Sequence, residues 1–204
     1  MKWNKSAAAV LIVALGVGAV VTSKTIFSKG IPLFKPAIGP RAQGNPNAQF
    51  KIIEYMDMQC HSCAEASPLM KNYIYTYPSK IYWQVKFYPL VKSHLYALKS
   101  AIYAECSARQ NKFWPFYESV LENQKEWAES ADPDAIFARL AKAAALDENM
   151  LKACVDTGDA KKIVLNEAEE AVSAGVTATP SFFVNGKMVV GPKGLQEELD
   201  KLLH

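Results

Sequence analysis

An α/β fold is predicted for this chain by the order of secondary-structure signals along its 204 residues. Between Phe50 and Tyr88 a strand, a helix and a second strand follow one another, which is the order of a βαβ unit with parallel strands and a right-handed crossover. A long block of helical signals comes next. An Asn185-Gly186 pair between two apolar runs then predicts a β-hairpin, and a last helix follows it. One domain, or one domain with an insertion, is expected at this length.

The first three elements are marked by their residue types and hydrophobic spacing. The apolar run Phe50–Met58 predicts a strand. Apolar residues recur at helical spacing from Cys60 to Tyr77, so a helix is expected there. The segment Lys80–Tyr88 is rich in aromatic and β-branched residues and is followed by Pro89, which is typical of a second strand.

Helical signals fill the region between the second strand and the hairpin. His94 is expected at the start of the first of these helices, in a capping or surface role, and Cys106 lies on the apolar face of that helix. Asp132-Pro133-Asp134 starts a later helix, with proline at the first helical position. A helix over Asp159–Ala174 closes the block, and the last helix of the chain is predicted over Leu195–Leu203.

Charge and composition exclude some classes of function. The formal net charge is +3, and it comes from three lysines within residues 1–27, which leave 20 basic and 20 acidic residues in the remainder. No basic stripe remains, so nucleic-acid binding is not expected. Half of the residues are apolar, which is enough for a full hydrophobic core.

The N-terminal region has the pattern of a targeting segment. Ala7–Val21 is an apolar run of 15 residues that follows two lysines, which predicts a signal peptide within residues 1–27. Because no clean cleavage site follows, an anchor that tethers the protein to the inner membrane through residues 7–23 is the alternative. Either way the body, residues 49–204, is expected in the periplasm or at the extracytoplasmic face. Residues 28–48 hold four prolines and three glycines and are interpreted as a linker with room for a brief edge strand.

The Cys60-His61-Ser62-Cys63 motif is the main functional signal. Two thiols at this spacing on a helix N-terminus can exchange a disulfide with another protein, because backbone N–H groups and the helix dipole stabilise a thiolate. A zinc site needs more ligands than this motif supplies. A copper or zinc carrier that uses Cys60, His61 and Cys63 nevertheless stays open as an alternative.

Several motifs together make the chain resemble the thioredoxin superfamily and, within it, its DsbA-like thiol–disulfide oxidoreductases. The resemblance covers roughly residues 50–204 and implies a thioredoxin fold interrupted by a helical insertion at about residues 93–172. The motifs that carry it are, in chain order, Glu54, Cys60-x-x-Cys63, Glu105–Trp114, Glu122–Gln124, and Thr179-Pro180 with the segment Ser181–Gly186 that follows.

The resemblance also implies roles for particular residues. Cys60 is the expected nucleophile and Cys63 the resolving cysteine. Glu54 is expected to lie beneath the buried cysteine and relay its proton, with Lys86 as a candidate ionic partner. The Thr179-Pro180 peptide is expected to be cis and to contact an extended substrate.

Two further points concern the other cysteines and the residues between the catalytic thiols. If Cys60 and Cys63 are catalytic, Cys106 and Cys154 can form a structural disulfide between two helices of the insertion, and two free buried thiols are the alternative. His61 is a candidate for tuning the Cys60 sulfur. Because family members that are strong oxidants often carry Pro-His between the thiols, the His61-Ser62 pair leaves the redox potential open.

The sequence therefore predicts an exported thiol–disulfide oxidoreductase that donates the Cys60–Cys63 disulfide to reduced or unfolded exported proteins. No bound cofactor is expected, and the family implies reoxidation by a membrane-bound, quinone-linked partner. A disulfide reductase or isomerase that uses the same site is the main alternative. A chaperone-like binder with an aromatic groove is a further one.

Overall fold

A computed structural model describes residues 39–203 of the chain. The signal peptide or anchor predicted within residues 1–27 and the first part of the predicted linker lie outside the described residues. Five strands are found in the described part, in chain order β1 (Ala42–Gly44), β2 (Phe50–Met56), β3 (Ile81–Phe87), β4 (Ser181–Val184) and β5 (Lys187–Val190). Its helices are, in chain order, α1 (His61–Thr76), α2 (Ala97–Arg109), α3 (Phe113–Glu122), α4 (Gln124–Ala128), α5 (Pro133–Ala143), α6 (Glu148–Thr157), α7 (Asp159–Ser173) and α8 (Gly191–Leu203).

The strands form one sheet in the order β1-β3-β2-β4-β5. β2 and β3 are parallel and are connected through α1, which confirms the predicted βαβ unit. β4 runs antiparallel to β2 and to β5. The turn between β4 and β5 has positive φ at both Asn185 and Gly186, as a type I′ hairpin turn requires. β2 is therefore the central strand, and the residues at its C-terminal end lie between two neighbouring strands.

The helical block, α2 to α7, lies in sequence between β3 and β4, as the resemblance implies. Trp83 of β3 packs against the rings of Trp114 and Tyr117 on α3, with centroid separations of 4.8 and 6.1 Å. The predicted start of α5 is confirmed, since the Asp132 side chain accepts a hydrogen bond from the Asp134 N–H at 3.2 Å. The sheet and the helical block therefore share one hydrophobic core, in which α3 packs against β3.

The second half of the predicted linker belongs to the folded body. β1 pairs antiparallel with β3, so the expected edge strand is present. Arg41 binds both carboxylate oxygens of Glu167 on α7. Gly44 has φ +87°, and a Cβ atom there would lie 2.2 Å from the carbonyl oxygen of Ile81, so only glycine fits. These contacts fix the chain from residue 41 onward.

The starts of two helices differ from the sequence prediction by more than two residues. α8 begins at Gly191, four residues before the predicted Leu195, because Pro192 is tolerated in the first turn of a helix, where no backbone donor is needed. The helix expected from His94 begins at Ala97, so His94 lies in the preceding loop. Within the described residues no helix is both long and apolar enough to span a membrane.

A disulfide joins α2 to α6 through Cys106 and Cys154, whose Cα atoms are 5.8 Å apart. The alternative of two free buried thiols is therefore wrong. The bridge closes a loop across 48 positions of the chain, within the helical block. It restricts the unfolded chain and thereby stabilises the folded one.

We expect the Cys106→Ala/Cys154→Ala double variant to lose about 2–4 kcal/mol of the free energy of unfolding, because the unfolded chain regains loop entropy. Urea denaturation followed by circular dichroism measures this. Parent and variant both carry Cys60→Ser and Cys63→Ser, so that only one disulfide can form in the parent. Equal urea midpoints in the two proteins would contradict the stabilising role of the bridge.

Candidate active site

Cys60 lies at the N-terminus of α1, immediately after the loop that leaves β2. Its backbone N–H donates to the carbonyl oxygen of Asp57 at 3.0 Å, which closes a turn between strand and helix. Its carbonyl oxygen accepts from the N–H groups of Cys63 and Ala64, which starts the helix. The short connection brings the thiol to the helix end, where backbone N–H groups have no intrahelical partner.

The two thiols have opposite surroundings. Cys60 is half-buried and Cys63 is fully buried, and both are free thiols in the structure. A hydrogen bond from Cys63 lowers the pKa of Cys60 most; burial opposes it, and contacts with Thr179 and with the backbone N–H groups of Cys63 and Ser62 add to the fall, to about 5. Burial raises the pKa of the Cys63 thiol well above its ordinary value, and the nearby Cys60 sulfur raises it further. Near neutral pH the outer sulfur is a thiolate and the inner one keeps its proton.

The loop before β4 lies opposite Cys60. The Thr179–Pro180 peptide bond is cis, as expected. The Cys60 thiol lies 3.3 Å from the carbonyl oxygen of Thr179, to which it donates when protonated. Pairing of Tyr55 on β2 with Ser181 on β4 sets this arrangement, since β2 ends and the antiparallel β4 begins at this edge of the sheet.

Glu54 is fully buried at the centre of β2. Its Oε2 accepts a hydrogen bond from Nε1 of Trp83 at 2.9 Å, and its Oε1 has no partner among the described residues. Burial raises the pKa of Glu54 to about 8; the Trp83 bond opposes this, and the charge on Cys60 adds to it. The charge of Glu54 also adds to the rise in the pKa of Cys63, after burial and the Cys60 sulfur. A carboxyl with such a pKa can exchange a proton with Cys63 at neutral pH.

Lys86 is not the ionic partner of Glu54, which corrects the sequence interpretation. Its Nζ contacts both carboxylate oxygens of Glu170, at 2.5 and 2.7 Å. In the parallel pairing of β2 and β3, Glu54 lies opposite Val85 and Tyr55 lies opposite Lys86. Successive side chains of a strand point to opposite faces, so Lys86 shares a face with Tyr55.

Sequence reasoning missed Asp57, whose buried side chain organises the active-site loop. Its Oδ1 accepts from the Gln59 N–H, and its Oδ2 accepts from the Leu90 N–H, both at 2.8 Å. Nδ1 of His94 lies 2.7 Å from Oδ2, so the capping or surface role expected of His94 is replaced by a contact with this loop. The backbone N–H of Asp57 also donates to Sγ of Cys63 at 3.5 Å. The one available signal was an acid at the end of an apolar strand.

Gln124 is a second missed residue and comes from the helical block. Its side-chain amide donates to the carbonyl oxygens of Met58 and Cys60, both at 2.9 Å. The sequence marks Gln124 as family-like but assigns it no role. It ties α4 to the loop that carries the nucleophile.

His61 is largely exposed, and its Nε2 lies 3.4 Å from Oε1 of Glu65, one turn along α1. The groups that shift the pKa of Cys60 are Cys63, Thr179 and the backbone N–H groups of Cys63 and Ser62. The tuning role of His61 therefore stays a prediction. Among residues 39–203 no group of three or more His, Cys, Asp or Glu side chains is arranged to hold a metal ion.

Comparison with known proteins agrees with this geometry. A family model described as thioredoxin matches residues 37–204. Among solved structures, α-DsbA1 of Wolbachia pipientis is 24% identical, with a TM-score of 0.67 over 79% of this chain and 89% of that one. Oxidised BdbD of Bacillus subtilis is 18% identical, with a TM-score of 0.68 over 79% of this chain and 91% of that one. These likenesses show the fold, an α/β thioredoxin fold with an inserted helical block.

The chain also matches part of a curated relative whose name describes an antiporter. The Na⁺/H⁺ antiporter NhaA 3 of Salinispora tropica is 29% identical over 155 residues, which cover 76% of this chain and 23% of the antiporter. The chain thus spans about a quarter of that relative. Antiport is an activity of the whole relative, so the match assigns no transport role here.

Proposed function

The chain belongs to the thioredoxin family, and we propose that it is an exported thiol–disulfide oxidoreductase that donates its Cys60–Cys63 disulfide to reduced or unfolded exported proteins. The observation that carries the proposal is the placement of the two free thiols, with Cys60 half-buried at the N-terminus of α1, 3.3 Å from the carbonyl oxygen of Thr179, and Cys63 fully buried. This placement lowers the pKa of Cys60, chiefly through the hydrogen bond from Cys63, and burial raises the pKa of Cys63. In such a pair the thiol with the low pKa, Cys60, is the better leaving group from a mixed disulfide. The buried thiol, Cys63, attacks Cys60 and so forms the disulfide within the protein.

Substrate oxidation proceeds through a mixed disulfide. A substrate thiolate attacks Sγ of Cys60, the Cys60–Cys63 bond breaks, and Cys63 leaves and takes a proton from Glu54. A second substrate thiolate then attacks the substrate sulfur of the mixed disulfide and releases Cys60 as a thiolate. The substrate loses two electrons and becomes a disulfide, and the protein gains them as the Cys60–Cys63 dithiol.

The direction of exchange follows from the stability of the reduced form. A low pKa for Cys60 stabilises the thiolate and hence the dithiol protein, which makes the disulfide form a stronger oxidant. This favours donation over the reductase or isomerase alternative. The same linkage makes the contribution of Cys60 to the stability of the dithiol form rise as pH increases from about 5 toward the ordinary thiol value of 9.0.

Export and the partners are part of the proposal. Its support is the apolar run Ala7–Val21 and the Cys106–Cys154 bridge, since structural disulfides persist mainly in oxidising compartments. The dithiol form needs reoxidation, for which we propose a membrane-bound, quinone-linked partner. The exchange itself uses only sulfur and proton-transfer groups of the chain, so it requires no bound cofactor.

Equilibration of the full chain with glutathione buffers tests the proposed direction. We expect a reduction potential for the Cys60–Cys63 couple in the range of about −180 to −120 mV, as in oxidising members of the fold. The Cys60→Ser/Cys63→Ser double variant controls for signals from elsewhere in the chain. A potential near about −270 mV, the range of a disulfide reductase, would overturn the oxidase assignment.

A further inference from the structure

The backbone of Asp57 contacts both cysteines of the thiol pair. Its N–H donates to Sγ of Cys63 at 3.5 Å, and its carbonyl oxygen accepts from the backbone N–H of Cys60 at 3.0 Å. β2 ends at Met56, so the N–H of the next residue lies beyond the strand ladder and is free to bind the sulfur. Asp57 therefore supplies a backbone donor directly at one of the two sulfur atoms that react.

A donor at this sulfur acts on charge that forms during exchange. When a thiolate attacks Sγ of Cys60 in the disulfide form, the Cys60–Cys63 bond breaks and its electron pair goes to Sγ of Cys63. Until Glu54 supplies a proton, that sulfur is a buried thiolate. Burial raises the pKa of Cys63, and the bond from the Asp57 N–H acts in the opposite direction. A fixed donor aimed at developing charge in a buried site stabilises that charge strongly.

Three donors hold the side chain of Asp57, which is buried. The Gln59 N–H binds Oδ1 at 2.8 Å. The Leu90 N–H and Nδ1 of His94 lie 2.8 and 2.7 Å from Oδ2. An imidazole is more basic than a carboxyl group, so the proton between them belongs to Nδ1 and the carboxylate accepts all three bonds. The bond to the N–H two residues ahead forms an Asx turn, which fixes the backbone of Asp57 and with it the direction of its N–H.

His94 comes from the loop between β3 and α2, which contacts the active-site loop at three points. The Leu90 N–H and the His94 ring bind Asp57. The Tyr96 N–H binds Oε1 of Gln59 at 2.7 Å. The backbone N–H of His94 donates to the carbonyl oxygen of Leu90 at 2.9 Å, so the two groups that bind Asp57 belong to one turn. Of the three donors in this loop, His94 alone uses its side chain, so it is the one that a substitution removes.

We propose that His94 is a positioning residue of thiol–disulfide exchange: through the Asp57 side chain it holds the Asp57 backbone N–H against Sγ of Cys63, where this N–H stabilises the thiolate of the resolving cysteine. The inference rests on the proposed exchange at Cys60 and Cys63. Asp57 is a catalytic residue in this scheme, because its N–H touches a reacting sulfur. Its role differs from that of Glu54, which exchanges the proton of Cys63.

Such a donor changes the rate of exchange in both directions and leaves the end point unchanged. In the closure step with glutathione, Cys63 gives its proton to Glu54, its thiolate attacks Sγ of Cys60, and glutathione leaves as a thiolate. The reverse reaction forms the same Cys63 thiolate as the leaving group. At neutral pH the dithiol form carries Cys63 as a thiol, so the equilibrium does not depend on the energy of this thiolate. The pKa of Cys60 is lowered chiefly by Cys63, and neither His94 nor the Asp57 side chain contributes to that lowering.

Stopped-flow oxidation of the reduced full chain tests the role of His94. At saturating glutathione disulfide the closure step sets the rate, and we expect His94→Ala to slow it by about 5-fold. Loss of one hydrogen bond to a charged group lowers the thiolate population about 30-fold. The remaining, more basic thiolate is the better nucleophile, and a Brønsted slope of about 0.5 reduces the net effect to about 5-fold. Reduction of the oxidised chain by glutathione should slow by the same factor.

Two amide variants separate the donor from the charge of the imidazole. Asparagine places an amide N–H where Nδ1 of His94 lies, so His94→Asn is expected to close within twofold of the wild-type rate. Glutamine places its amide farther out, where Nε2 lies, so His94→Gln should be as slow as His94→Ala. The matched control is Lys99→Ala, which breaks an exposed ion pair of 2.7 Å with Asp134 in the helical block. It should close at the wild-type rate, and the glutathione equilibrium should be the same in all variants.

Closure in His94→Ala within twofold of wild type would overturn the role of His94. If His94→Ala does not fold, the two amides decide, and equal closure rates in His94→Asn and His94→Gln would overturn it. Slow closure with a shifted glutathione equilibrium would overturn it as well, because that result indicates altered surroundings of Cys60. If the wild-type chain does not exchange with glutathione disulfide, the proposed function itself fails. If wild type and the His94 variants exchange equally well, only the positioning role fails.

Discussion

Replacing Cys60 with serine is expected to remove thiol–disulfide exchange completely, so that a reduced, unfolded test protein is oxidised only at the rate measured without catalyst. The sulfur of Cys60 is the accessible one of the pair, because Cys63 is fully buried. A serine hydroxyl neither ionises near neutral pH nor forms a disulfide, so no mixed disulfide can arise. Titration of the remaining substrate thiols over time measures the effect, and a Cys60→Ser variant with wild-type turnover would refute the assigned nucleophile.

Cys63→Ser is the matched control for this change, because it keeps the nucleophile and removes the resolving thiol. Supplied with a test protein that carries a disulfide, Cys60 of this variant attacks one sulfur, releases the other as a thiolate and is expected to stay in a mixed disulfide, visible as a shifted band in a non-reducing gel. Alkylation of wild-type Cys60 should show a midpoint near pH 5, in line with its lowered pKa of about 5. In Cys63→Ala the midpoint should rise, since the hydrogen bond from Cys63 contributes most to that lowering.

The parts of the site with local sequence signals were predictable from the chain alone. Cys60 and Cys63 are three residues apart after an apolar strand, and that spacing fixes both a helix start and a thiol pair. The Thr179-Pro180 step before a short strand is equally local, and the structure places it 3.3 Å from the Cys60 sulfur. A bridge between Cys106 and Cys154 was one of two alternatives that stayed open after the resemblance had assigned the other two cysteines, and the structure decides between them.

The contacts between distant segments were not predictable in this way. Gln124 reaches the Cys60 carbonyl across 64 positions of sequence, and His94 reaches Asp57 across 37. Such pairings depend on how the helical block docks on the sheet, which no local periodicity encodes. Whether Trp83 or Lys86 lies beside Glu54 and binds its carboxyl group depends on the β2–β3 register. Alternation along β3 places these two on opposite faces, so the register alone would have decided between them.

The buried carboxyl of Glu54 is expected to destabilise the folded protein as pH rises. Its folded pKa of about 8 lies above the ordinary value of 4.5, so between these values the native state holds a proton that the unfolded chain has released. The contribution of Glu54 to the free energy of unfolding should then fall by up to about 1.4 kcal/mol per pH unit as pH rises through this window. The contribution of a protonated Glu54 is complete below pH 4.5 and is lost as pH passes about 8.

Glu54→Gln should remove this dependence, because the amide keeps an acceptor oxygen for Trp83 and cannot ionise. Relative to wild type the variant gains stability from pH 5 to pH 7 by up to about 1.4 kcal/mol per unit. Urea denaturation of both reduced proteins at each pH measures the gain, and the contribution of Cys60 largely cancels in the difference. The same variant should close its disulfide about 100-fold more slowly, since Cys63 loses its proton acceptor.

The control for this last prediction is Glu126→Gln, which removes an exposed carboxylate that binds Arg139 in the helical block. Its closure rate should equal that of wild type, because the residue does not contact the thiols. Closure slowed in Glu54→Gln together with increased stability at neutral pH would show that the buried acid is retained for proton transfer at a cost in stability. Parallel stability curves for wild type and Glu54→Gln from pH 5 to pH 7 would instead show that Glu54 is already ionised in the folded protein, and the relay assigned to it would be wrong.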